Sequence, residues 1–340
     1  LRDRATVDES ILTSERPLTL MAAKPTHEEV RLLVKVARFY YEDGLNQEAI
    51  TARLGLSRSK VSRLMAQARE TGIVQIIVVE PDDLSLDIES RLEERFGLEE
   101  ALVVESQPAD SQAQVSRAVG NAAAGYLARA ISRRSTIGMC WGDTLRHMVA
   151  GLALQRYPDA QVVQIIGGIG QPDAEVHATE LCRTMARTLD CRLTLLPVPG
   201  IVADQRTREA LLSDVHVQRA VEAFDDLDIA FVGIGAPTRD SVTMRDGSII
   251  TRAELDGMLR RGAVGDIALR YYDSSGECIE SDINERIIGM TLEQLKQVPR
   301  IVGVSGGPQK VAAIRAALKG ELVNVLITDS VTAENLLEEA

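Results

Sequence analysis

The chain has 340 residues, enough for two domains or one large domain with an appendage. At 45% hydrophobic but only 3% aromatic, it can bury a sizeable core built mostly from Leu, Val, Ile and Ala. A formal net charge of −12 excludes nucleic-acid binding spread over the whole surface, and no apolar run approaches the ~18 residues of a membrane helix. No secretory leader stands out either, so a cytoplasmic protein is expected.

Residues 1–23 are expected to form a disordered tail. From His27 to Asp43, apolar residues such as Val30, Leu33, Val34 and Ala37 recur at helical spacing, and Gly44 ends the pattern. Residues 45–72 read LNQEAITARLGLSRSKVSRLMAQARETG. Asn46 caps one short helix with Ala49, Ile50 and Leu54 inward. Gly55 suits the turn because it tolerates positive φ. Ser57 caps a second helix, with Val61, Leu64 and Ala68 inward. From Thr51 to Arg69 there are five basic residues and no acidic one. Lys24 to Glu70 carries nine basic and six acidic residues, a net of +3, which leaves −15 for the remainder. Residues 24–80 therefore read as a helix-turn-helix DNA-binding domain on an acidic body. Its candidate DNA-facing residues are Gln47, Ser57, Arg58, Ser59, Lys60, Ser62 and Arg63, although Arg58 and Arg63 equally suit a solvated helix face.

Ile73 to Val79 suggests a wing strand, broken by Pro81-Asp82-Asp83. Residues 81–97 hold an amphipathic helix, Leu84–Phe96, that links head to body or pairs with a second subunit. In residues 98–340, apolar strands alternate with helical stretches. The strands expected are Ala101–Glu105, Thr136–Trp141, Gln161–Ile166, Arg192–Pro197, Ile229–Ile234, Asp266–Tyr272, Arg300–Val304 and Val323–Thr328. Buried strands separated by helices imply an α/β domain with a doubly wound, Rossmann-like parallel sheet.

Ligands of such sheets bind beyond the carboxyl ends of the strands. Three of those ends are rich in glycine or hydroxyl groups: Gly138 to Thr144, Gly167-Gly168-Ile169-Gly170, and Ser305 to Lys310. Gly142 lets backbone approach a ligand, and Thr144 with free helix N–H groups suits an anion. Lys310 beside a helix start suits a phosphate. None of the three is a dinucleotide fingerprint or a P-loop, and glycine also serves plain strand–helix turns. Asp266 is a carboxylate in an apolar strand, where it accepts ligand hydroxyls or joins a salt bridge. Cys140, Cys182, Cys191 and Cys278 form no CxxC pair and read as buried reduced thiols. His27, His147, His177 and His216 lack metal-ligand spacing, so no metal or cofactor is expected. Trp141 reads as packing or a ligand wall.

The ordered set ARFYYEDGLNQEAIT, LGLSRSKVSRL, GMCWGDT, VVQIIGG, VGIGAP, GAVGDIALRYYD, GVSGGPQKVAAI and VLITD resembles the SorC family of bacterial transcriptional regulators, from about Glu29 to Leu337. The resemblance implies a helix-turn-helix followed by an effector domain. That domain is similar to phosphosugar isomerases and aminosugar-phosphate deaminases of the NagB type, without their activity. It implies operator DNA and a sugar or polyol, often phosphorylated, as partners, and dimers that assemble into tetramers. By motif position the implied ligand contacts are Asp143, Thr144, Asp266 and Lys310, with walls shaped by Gly142, Gly167, Gly168, Gly306 and Gly307. The chain departs from some relatives at Ile166, where they carry a basic residue. The expected function is a sugar-controlled transcriptional regulator of a carbohydrate operon. The rivals are an isomerase- or deaminase-like enzyme with a DNA-binding head, and a head that binds protein. Effector identity and the sign of regulation stay open.

Overall fold

The computed structural model describes residues 27–74, 85–168, 178–238 and 250–338. The chain divides into two compact units, residues 1–79 and 80–340.

In the first unit, helices α1 (His27–Tyr41), α2 (Gln47–Leu54) and α3 (Arg58–Glu70) enclose a small core of Leu33, Val36, Ile50, Val61, Leu64 and Met65. The local signals act as the sequence suggests. Asn46 accepts the N–H of Ala49, and Ser57 accepts that of Lys60. Gly55 closes α2 at φ 64°, in the left-handed region where a side chain is strained. Ile73 and Val74 pack against this core, while the rest of the expected wing strand and the tail lie outside the described residues.

The second unit is built on a seven-stranded, all-parallel sheet in the order β1-β9-β8-β5-β2-β3-β4. Its strands are β1 (Glu100–Val104), β2 (Thr136–Met139), β3 (Gln161–Gln164), β4 (Arg192–Thr194), β5 (Ile229–Val232), β8 (Arg300–Val304) and β9 (Val325–Asp329). These correspond to seven of the eight expected strands, several of them shorter at the carboxyl end.

The eighth is corrected. Asp266–Tyr272 is not one strand of the sheet but a separate antiparallel hairpin, β6 (Gly265–Ile267) with β7 (Arg270–Tyr272). Ala268 and Leu269 turn it at φ 52° and 64°. Positive φ at both central positions is the geometry a two-residue hairpin favours, usually built from Asn-Gly. An Ala-Leu turn carries no such signal.

Helix α4 (Leu86–Phe96) belongs with the sheet. Glu93 and Glu89 accept the N–H groups of Ala101 and Val103 at 2.9 and 2.7 Å, satisfying donors on the exposed edge of β1. The helix expected in the 81–97 linker is therefore bonded into the α/β unit.

Helices α5 (Gln112–Ala130) and α6 (Asp143–Ala150) meet at Gly120. A Cβ there would lie 2.6 Å from both the Thr144 carbonyl and the His147 Cβ. Gly120→Ala should push α6 outward and lower stability by roughly 1–3 kcal/mol, read as a lower midpoint of thermal unfolding.

Candidate functional site

Following the chain, β2, β3 and β4 extend the sheet one way and β5, β8 and β9 the other. The order reverses between β2 and β5, and the crevice above their carboxyl ends is where such a sheet takes a ligand. A cavity of about 350 Å³ lies there. The segments Cys140–Leu145, Gly233–Ala236 and Gln309-Lys310 wall it, continuing from β2, β5 and β8. The side chains of Trp141, Leu145, Ile234 and Val304 give it apolar walls.

Charged groups stand among these walls. Asp266 is held by the hairpin, whose backbone exchanges two hydrogen bonds with Gly235 at 2.9 and 3.0 Å. A Cβ on Gly235 would collide with the Asp266 carboxylate. Burial raises the Asp266 carboxyl to about 6, against the opposing pull of the Leu269 N–H and the Lys310 charge. Burial lowers Lys310, opposed by Asp266, Asp143 and Asp329. The Lys310 ammonium makes no hydrogen bond or ion pair with any described residue. Asp143 is paired with Arg146 at 2.9 Å. Cys140 also lines the cavity, and burial pushes its thiol up to about 12, so it stays protonated at neutral pH.

Two helices start at the cavity without a side-chain cap. One is α6, preceded by Gly142 at φ 138°; the other is Val311–Lys319, entered through Lys310. Elsewhere in this unit Ser111, Asp204, Asp214, Thr251, Thr291 and Asp329 each cap a helix by accepting an N–H, whereas α4 also starts uncapped and Val311–Lys319 continues a 3-10 turn, Pro308–Lys310, in which Gly307 accepts the Lys310 N–H. Uncapped N-termini leave donors and positive dipole ends for an anion.

Of the expected ligand residues, Gly142, Asp143, Thr144, Asp266 and Lys310 come together here. Gly167, Gly168, Gly306 and Gly307 are not among the lining residues. Gly167 and Gly168 instead pack backbone to backbone against Val198–Gly200, and a Cβ on Gly167 would lie 2.6 Å from the Val198 carbonyl. Gly306 and Gly307 seat the Lys310 loop on Asp329, which accepts the Gly307 N–H at 2.8 Å. Gly170 and His177 lie outside the described residues. Ile166 is fully buried and bridged to Gly289. Sequence reading missed Gln112 and Ser116, which reach the cavity from the first turns of α5. Nothing local marks them, because tertiary contacts bring α5 to the site: the crossing at Gly120 and the bond Gln112 Nε2 donates to the Gly306 carbonyl at 3.0 Å. No cluster of metal-ligating residues occurs among the described residues.

On the head, Arg58, Ser59, Lys60, Ser62 and Arg63 are all exposed along α3, opposite its buried Val61, Leu64 and Ala68. No ion pair with a described residue occupies Arg58, Lys60 or Arg63. Ser57 is committed to capping. Gln47 is half-buried at the start of α2, and Arg53 lies over the Phe39 ring at 4.5 Å.

A helix-turn-helix joined to an α/β unit with a polar cavity at its switch point defines a ligand-controlled DNA-binding protein. Comparison with known proteins agrees. Residues 82–338 match the Sugar-bind family, described as "Putative sugar-binding domain". The chain is 32% identical over 313 residues to the deoxyribonucleoside regulator of Bacillus subtilis, covering 92% of this chain and 99% of that protein. It is also 32% identical over 318 residues to the sorbitol operon regulator of Klebsiella pneumoniae, covering 92% and 99%. The solved full-length structure of that regulator, SorC, superposes with a TM-score of 0.69 at 31% identity, covering 91% of this chain and 99% of that one. The chain belongs to the SorC family of sugar-responsive transcriptional regulators.

The raised Asp266 makes stability depend on pH. Because its folded value of about 6 exceeds the ordinary 3.8, the stability it contributes is complete below about pH 4 and is lost as pH rises through 6. Asp266→Asn should therefore leave unliganded stability little changed at pH 4 and raise it by about 1–3 kcal/mol at pH 7.5, measured by thermal unfolding at both pH values.

Proposed function

We propose that this regulator controls a carbohydrate-metabolism operon and that a phosphorylated sugar or polyol in the cavity switches its hold on operator DNA. The observation that carries the phosphate is the Lys310 ammonium, which no described residue pairs, beside two uncapped helix starts. Phosphate oxygens would accept from these donors, while Asp266 would accept from ligand hydroxyls. The chain acts as a homo-oligomer whose paired heads meet two half-sites. The ligand binds one arrangement of the assembly better than another and so shifts their populations. The lining contributes carboxylates, an ammonium, hydroxyls and amides, groups suited to holding a polar ligand.

A thermal-shift screen of free and phosphorylated sugars and polyols tests the site. A compound at about 100 times its Kd should add roughly 2.7 kcal/mol of stability. Lys310→Met should abolish the response to phosphorylated compounds. If a free polyol stabilises the protein and no phosphorylated one does, the phosphate role of Lys310 is wrong.

On the head, Arg58, Lys60 and Arg63 are proposed to face the major groove, with Ser59 and Ser62 between them and Gln47 and Ser57 at the groove's edge. Lys60→Ala should weaken operator and random DNA by the same factor and reduce the salt slope of binding by roughly one, measured by fluorescence anisotropy across salt. A loss confined to operator DNA would assign Lys60 to a base instead.

A further inference from the structure

The hairpin that carries Asp266 is also bonded to the helix that follows Lys310, through Tyr272. This residue ends β7 and is fully buried. Its phenol donates to the Ala313 carbonyl at 3.0 Å, about one helical turn past Lys310. Burial and the Asp266 charge hold the phenol's pKa well above its ordinary value, so it stays a donor. In the hairpin register Tyr272 lies opposite Gly265, the residue before Asp266. Its ring crosses that glycine, and a Cβ on Gly265 would collide with the phenol. Two other ties of the hairpin lead elsewhere. Backbone bonds at Asp266 go to Gly235 beyond β5, and the Arg270 guanidinium donates to the Asn284 carbonyl at 2.8 Å.

We propose that Tyr272 is a positioning residue: its bond to Ala313 sets the spacing between the Asp266 carboxylate and the Lys310 ammonium, and so the span of ligand the cavity accepts. The inference rests on the reading of this cavity as the effector site. Asp266 reaches the cavity from the hairpin and Lys310 from the start of Val311–Lys319, so their separation depends on what joins those two elements. A hydroxyl-to-carbonyl bond is directional, and in a buried setting no water replaces it when it is lost. Without it the hairpin stays on Gly235, and the Lys310 loop keeps its seat on Asp329 through the Gly307 N–H. Each charge then keeps its own support, but the distance between them loses a fixed bond.

The first readout needs no ligand. The Lys310 charge pulls the Asp266 carboxyl down against burial, and it settles at about 6. The stability gained by Asp266→Asn therefore grows with pH and levels off near that value. In Tyr272→Phe, which keeps the ring, the levelling-off should move up by about 0.5 pH, because Lys310 pulls less. In Lys310→Met the same exchange at 272 should move nothing, since the pull is already gone. Asp143 and Asp329, which also act on Lys310, are unchanged in every variant. Leu92→Ala, buried on α4, is the control that lowers stability without moving the titration. An unmoved or lowered levelling-off in Tyr272→Phe, or a shift that persists in Lys310→Met, overturns the inference. The second readout is calorimetry with fructose 6-phosphate, which can meet both charges, and inorganic phosphate, which needs Lys310 alone. Tyr272→Phe should weaken the sugar phosphate roughly fivefold and leave inorganic phosphate unchanged. Equal weakening of both marks general damage and also overturns it. If neither probe binds the unaltered chain, the phosphate reading falls, and the ligand-free titration still decides the role of Tyr272.

Discussion

The structure turns on a desolvated charge pair that is left open. Asp266 and Lys310 face one cavity, each moved by burial towards its neutral form and each drawn back by the other's charge. A buried ion pair is favourable only when hydrogen bonds complete it. Lys310 has none from any described residue. The unliganded site therefore carries a free-energy cost that a ligand offering hydroxyls and an anion relieves.

Placing these groups around one cavity requires backbone where side chains would normally stand. Gly235 leaves room for the Asp266 carboxylate, Gly120 lets α6 sit against α5, and Gly306 with Gly307 seats the Lys310 loop on Asp329. Asp329 itself is 1% exposed and accepts from Ser106, Gly307 and Thr332. It ties the carboxyl ends of β1, β8 and β9 to one carboxylate. Gly120, Gly306 and Gly307 thus act one layer behind the cavity, fixing the positions of groups that line it.

This layering decides what could be read from the sequence. The helix-turn-helix was legible because its caps, its turn glycine and its apolar spacing are all local, and each is satisfied within a few residues. The parallel sheet was legible because buried strands are continuously apolar. The charged cavity residues stood out as polar breaks at strand ends. Gln112 and Ser116 did not, since a polar residue in the first turn of a helix is ordinary and their role depends on a crossing between helices. The hairpin at 268–269 was misread for the opposite reason: Ala-Leu is unfavourable at positive φ, and the fold imposes it to deliver Asp266. Gly167 and Gly168 were assigned to the ligand because close backbone packing and close ligand approach demand the same residue.

What a bound ligand changes must travel through contacts that have two arrangements. The Lys310 loop is tied through Asp329 to Ser106, which follows β1. The outer edge of β1 is in turn bonded to Glu89 and Glu93 of α4, the first described helix after the chain leaves the head. A continuous run of hydrogen bonds thus joins the Lys310 loop to β1 and α4. Moving a two-state equilibrium from 1:99 to 99:1 takes about a 10⁴-fold difference in affinity between the states. Lys310, whose ammonium no described residue pairs, is one group from which a ligand could draw such a difference. A cavity of neutral, already satisfied groups would offer a ligand less.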